Sequence, residues 1–83
     1  MKRDELLQRI WIDPARCGGK PCIRGHRIWV SLILDNLADG VAEQELIENY
    51  PGLVPADIRA AIAFGAAMAD FRELDLSPEP ATT

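Results

Sequence analysis

Cys17-Gly18-Gly19-Lys20-Pro21-Cys22-Ile23-Arg24-Gly25-His26-Arg27-Ile28-Trp29-Val30 is the stretch that decides how this 83-residue chain is read. It holds three glycines, a proline, the cations Lys20, Arg24 and Arg27, and a titratable His26. Glycine permits positive φ, so Arg16 to Gly19 is turn material. Cys22-Ile23-Arg24 then reads as a short strand and Gly25-His26 as a turn or bulge. Arg27-Ile28-Trp29-Val30 alternates polar with apolar toward the next element. Upstream, Ile10-Trp11-Ile12 is a β-prone run stopped by Asp13-Pro14, since proline lacks a ladder N–H and keeps its predecessor out of helix. The spacing predicts a hairpin over residues 10–30. Alone it would be marginal, so it must pack on helices or pair with a second copy.

Downstream the period changes to that of a helix. Val30, Ile33, Leu34 and Leu37 fall at i, i+3, i+4 and i+7, with Ser31 as the expected cap and Gly40 as the stop, which predicts a helix over about 31–39. A second helix is expected over 43–50, with Leu46, Ile47 and Tyr50 on one side and Pro51-Gly52 ending it. Ala42 is a poor cap for it. A third runs from Pro55, a favoured first position, to about residue 71, with Asp57 complementing the dipole in its first turn. Residues 1–9 are a lead-in whose conformation the sequence leaves open between a short helical turn and a frayed end. Residues 72–83, with acids, prolines and threonines, read as a mobile acidic tail. The expected fold is mostly α: a small three-helix domain over residues 10–71 with an N-terminal β-hairpin.

Charge is unevenly spread. Residues 1–30 carry seven basic side chains against three acids, or +4, and residues 31–83 carry two against ten, or −8, which together give the net −4. Two poles of opposite sign suggest two partners, one anionic and one cationic, or mutual attraction within or between subunits. No apolar run is long enough for a bilayer, because Ala60 to Ala69 spans only ten residues. The polar N-terminus lacks the apolar core of a signal peptide, so a cytoplasmic location is expected. There the two cysteines would be reduced thiols.

The chemistry of a catalyst is thin. Gly18-Gly19-Lys20 superficially resembles a phosphate loop, but Pro14 and Pro21 stand where that motif needs glycine and a hydroxyl residue. Cys17, Cys22 and His26 offer three soft ligands where a structural zinc site needs four, so neither metal nor other cofactor is expected. A Cys–His nucleophile would lack a pocket in so small a chain, and no enzymatic activity is expected. The second and third helices have helix-turn-helix spacing. Yet the face of the third expected to point outward (Ala56, Arg59, Ala60, Ala63, Ala67, Asp70) offers one arginine and no other base reader. If DNA is bound, the cations that bind it are Arg16, Lys20, Arg24 and Arg27 with His26, contacting phosphates. Ile10, Trp11, Ile12 and Trp29 are the candidate dimer or partner contacts.

The run Gly-Gly-Lys-Pro-Cys-Ile-Arg-Gly-His-Arg-Ile-Trp-Val resembles the signature of the DUF433 family, whose usual form is G-G-K-P-x-I-x-G-T-R-I-P-V. The resemblance continues through Leu37-Ala38-Asp39-Gly40, Glu45-Leu46-Ile47, Tyr50-Pro51 and Asp57-Ile58-Arg59-Ala60-Ala61, roughly residues 10–69. His26 replaces the usual threonine, Trp29 the usual proline and Ala42 the usual Ser/Thr cap. The resemblance implies a homeodomain-like or winged-helix fold. It also implies an antitoxin in a type II toxin–antitoxin pair, acting as a homodimer on operator DNA and on a PIN-like (DUF5615-type) nuclease toxin. On that reading Phe71, Leu74 and Leu76 anchor the toxin and Arg72 enters its carboxylate-rich site. The alternative is a stand-alone DNA-binding transcriptional regulator without a toxin.

Overall fold

The computed structural model describes residues 1–15 and 17–70. The order is helix α1 (Arg3–Leu7), strand β1 (Ile10–Trp11), a tight turn over Cys17–Gly19, strand β2 (Cys22–Ile23), and helices α2 (Val30–Ala38), α3 (Glu43–Asn49) and α4 (Pro55–Ala69). The described residues form a mostly helical body with four helices where the sequence marks three, and an N-terminal two-stranded antiparallel hairpin. The additional helix is the lead-in. Its Leu6 side chain is buried and packs with Ala60 and Ala63 of α4.

Strand β1 pairs with β2 in the register Ile10 to Ile23 and Trp11 to Cys22. Beyond β2 the chain turns back on itself: His26 N–H donates to the Ile23 carbonyl at 3.0 Å with Gly25 at φ 82. A positive φ at the third position of a four-residue turn is the type II arrangement, which needs glycine there. Ile23 N–H then donates to Ile28 and Val30 N–H to Pro21, so residues 28–30 lie along β2 on its other side. The hairpin thereby feeds straight into α2.

Each helix end has a local cause. Trp29, not Ser31, is the residue before the first turn of α2, and its side chain makes no cap. The backbone pairing of residues 28–30 to β2 starts the helix two residues earlier than a Ser31 cap would. At the other end Gly40 N–H donates to Leu37 and Val41 N–H to Asn36, with Gly40 at φ 90. Those two bonds form a Schellman stop. Tyr50-Pro51-Gly52-Leu53 makes a second glycine-dependent turn, with Leu53 N–H donating to Tyr50 at 3.0 Å and Gly52 at φ 98. α4 opens on Pro55, and Asp57 Oδ2 accepts from Val54 N–H at 3.1 Å, satisfying a donor that the helix cannot.

The main core joins hairpin to helices: Ile23, Val30, Ile33, Leu46, Leu53, Ile58 and Ala61 are all buried, with Ile10, Phe64 and others packed around them. α4 lies between this core and α1, buried on most of its circumference. That overturns the expected outward face of the third helix. Ala60 and Ala63 are buried under α1 instead of facing solvent. Alanine fits both settings, and the small side chains let α1 approach closely. The exposed strip of α4 carries Arg59, Ile62 and Ala66.

Candidate functional site

The hairpin and the 28–30 segment beside it carry four of the sequence-predicted binding residues, Lys20, Arg24, His26 and Arg27. Lys20 is exposed, and its Nζ sits 4.3 Å from the centre of the Trp29 ring. The Arg24 guanidinium lies 5.4 Å from the Trp11 ring centre, and its Nε donates to the Gln8 carbonyl at 2.9 Å. Arg27 is exposed, and His26 is half-buried. Alternating cations and indoles come about because β1, β2 and the 28–30 segment lie side by side. Among the described residues no carboxylate pairs with Lys20, Arg24 or Arg27. A cation held on an aromatic face keeps its full charge for a third group. Arg16 falls outside the described residues, as do Phe71, Arg72, Leu74 and Leu76 and the tail over 72–83.

His26 is fixed more firmly than a loop histidine need be. A Cβ built on Gly52 would stand 2.8 Å from His26 Cε1, so the imidazole rests directly on the α3–α4 turn. One glycine turn is stacked on the other. Nothing in the local sequence signals this contact, because its partners are twenty-six residues apart.

Trp11, Cys17, Cys22, Gly25, His26 and Arg27 together line a cleft of about 240 Å³. The three soft groups considered as metal ligands thus face one space. Among the described residues, however, no group of three His, Cys, Asp or Glu side chains is close enough to hold an ion. Cys22 is almost wholly buried and Cys17 half-buried, and no disulfide joins them. A larger open depression of about 610 Å³ is lined by Met1, Glu5, Gln8, Arg9, Arg24 and Asp57. Its two carboxylates already have partners: Asp57 Oδ1 accepts from Arg9 Nη1 at 3.0 Å, and Glu5 Oε1 accepts from the Lys2 backbone N–H. The Arg9–Asp57 pair is structural. Asp57 is buried and also serves the start of α4, so the pair ties the end of the lead-in to that helix. Sequence reading missed Arg9, whose partner is 48 residues away.

The candidate dimer contacts divide. Ile10 packs on the protein's own core and Trp11 is half-buried, whereas Ile12 (63% exposed) and Trp29 (38%) present apolar surface. No helix among the described residues is long and apolar enough to cross a membrane.

Comparison with known proteins adds the family. No curated protein matches the chain. A crystal structure of a DUF433 member from Anabaena variabilis is similar at 36% identity and a TM-score of 0.69, covering 77% of this chain and 63% of that one. The chain therefore spans less than two thirds of that neighbour's length. The family described as "Protein of unknown function (DUF433)" matches residues 10–65, from β1 through most of α4. With the signature run forming the hairpin and that match covering most of the chain, this protein belongs to the DUF433 family.

Proposed function

We propose that the protein is an antitoxin-like binding protein without catalytic activity. Its hairpin face takes operator DNA, and its acidic body takes a PIN-like nuclease of the DUF5615 type. The reading rests chiefly on one observation: Lys20, Arg24 and Arg27 crowd onto a hairpin with no carboxylate of the described residues against them. A helix-turn-helix reading of α3, the turn after it and α4 would present α4 to DNA, but α1 covers part of α4 and its exposed strip has one arginine. Phosphate contact through the hairpin is the chemistry that remains, with affinity drawn from counterion release. Dimerisation through Ile12 and Trp29 would double the basic face.

The test is DNA binding by the full chain across a salt series, using the region upstream of its own gene. Affinity falls steeply with salt. Lys20→Ala, Arg24→Ala and Arg27→Ala each make the salt dependence shallower by about one unit of slope. Co-expression with the nuclease encoded beside the gene yields a complex and relieves toxicity, and deletion of residues 71–83 weakens both. Absence of DNA binding and of any rescue would overturn the proposal. DNA binding that survives with no nuclease partner identifies a stand-alone regulator.

A further inference from the structure

We propose that α4 pairs antiparallel with α4 of a second copy of this chain, through the strip Arg59, Ile62, Ala66 and Ala69. The proposal goes beyond the DNA and nuclease reading and stands without it, and it is separate from any contact through Ile12 and Trp29. Pro55, Arg59, Ile62, Ala66 and Ala69 are all exposed on α4, and their spacing of four, three, four and three averages 3.5 residues. That is the seam period of a two-stranded coiled coil. The flanks of the strip are covered by the protein itself: Ile58 and Ala61 join the main core, and Ala60 and Ala63 lie under α1. Ile62, in the middle of the seam, is 49% exposed. What fits against the strip follows from its size and charge pattern. No charged residue occurs from Ala60 to Ala69, so the centre of the seam offers a charged partner nothing. Two copies set antiparallel and crossing at the level of Phe64 place each Ile62 against the other copy's Ala66, a large side chain meeting a small one in both directions. The same register brings each Arg59 beside the other copy's Ala69, at the C-terminal end of its α4. That end is the negative pole of the helix dipole, and it has no basic residue in its last turn. Arg59 is exposed and has no carboxylate partner among the described residues. A parallel pair would set Arg59 against Arg59 instead. The antiparallel contact is therefore self-complementary about a two-fold axis. With one helix face per copy it lies at the small end of specific interfaces, below ~1,200 Å², so the dimer is weak.

The test is sedimentation velocity on the full chain under reducing conditions, over a series from about 5 to 500 µM, where a monomer–dimer equilibrium with a Kd in or above the micromolar range is expected. Ile62→Glu weakens the dimer roughly 10- to 100-fold, because both copies lose an isoleucine from the contact. Its urea midpoint in dilute solution moves little, since the side chain is half exposed in the single copy. Ala66→Arg weakens the dimer as well and has no large side chain to lose, so the result does not hang on how Ile62→Glu folds. Arg59→Ala decides the orientation by its sign. It weakens an antiparallel dimer about 3- to 30-fold, as two helix-end contacts are lost, and tightens a parallel one by removing repulsion. A tightening therefore overturns the antiparallel arrangement. A chain that stays monomeric throughout the series overturns the proposal, as does a dimer that survives Ile62→Glu and dissociates on Ile12→Asp. A monomer that dimerises only once residues 71–83 are deleted assigns the strip to those residues and overturns the second copy as its occupant.

Discussion

At the scale of single residues, Gly52 carries two demands at once. Its φ of 98 lies where side chains other than glycine are strained, and any Cβ would meet the His26 ring. Gly52→Ala is therefore expected to lose about 2–4 kcal/mol, adding a clash to the ~1 kcal/mol backbone cost of alanine at positive φ. Urea denaturation of Gly52→Ala, His26→Ala and the double variant separates the two. Removing the ring relieves the clash, so the double variant is less destabilised than the sum. Gly40→Ala is the control, since its φ is similar and a Cβ there meets nothing within 4 Å; it should cost only about 1 kcal/mol. Sequence alone gives each glycine a turn, but it cannot say which one has a ring against it.

Among the elements, caps and coverings set the expectations. Ser31 is exposed inside the first turn of α2 and the start is fixed by backbone pairing, so Ser31→Ala should change stability by less than about 0.5 kcal/mol. Ala42 precedes α3 with extended geometry and no side-chain hydrogen bond. Ala42→Ser should thus stabilise by about 0.5–1.5 kcal/mol, read as a shift in the urea midpoint. An aspartate there would gain less, because Glu43 and Glu45 already crowd that turn. Leu6→Ala should cost about 1–3 kcal/mol, and amides of α1 should lose hydrogen-exchange protection before those of α2.

Helices α2, α3 and α4 were legible because apolar residues recur at helical spacing between glycine and proline stops. The hairpin was legible because its glycines and its Asp-Pro bracket two β-prone runs. α1 was not, since one buried side chain in five residues makes no period. The alanine-rich circumference of α4 was misread for a related reason: alanine has no strong preference for core or solvent, so its pattern does not tell which face α1 covers. Of the candidate site, the cationic residues were legible and their indole partners were not, because Lys20–Trp29 and Arg24–Trp11 meet only after the strands align.

Over the whole molecule, the proposed function makes the charge split decide what approaches which side. The hairpin cations keep their charge, while Glu43, Glu45 and Glu48 stand exposed on α3. Neutralising those three to glutamine should strengthen binding of a nucleic-acid strand a few-fold at low salt, with the gain fading as the Debye length shrinks toward about 3 Å near 1 M. The same change should weaken association with a basic protein partner. Mobility-shift and pull-down assays on one preparation read both signs; a change in the same direction in both would mean the acidic helix serves neither as repulsive nor as attractive surface.

The clasp between Arg9 and Asp57 has a consequence for how the protein is made. Its two halves are 48 residues apart, and Leu6 waits as long for Ala60. During translation α2 can coil and the glycine turns can form early, yet α1 finds its seat only after α4 has emerged. Long-separated contacts of this sort slow folding. A segment translated well ahead of α2 is among the last of this fold to settle.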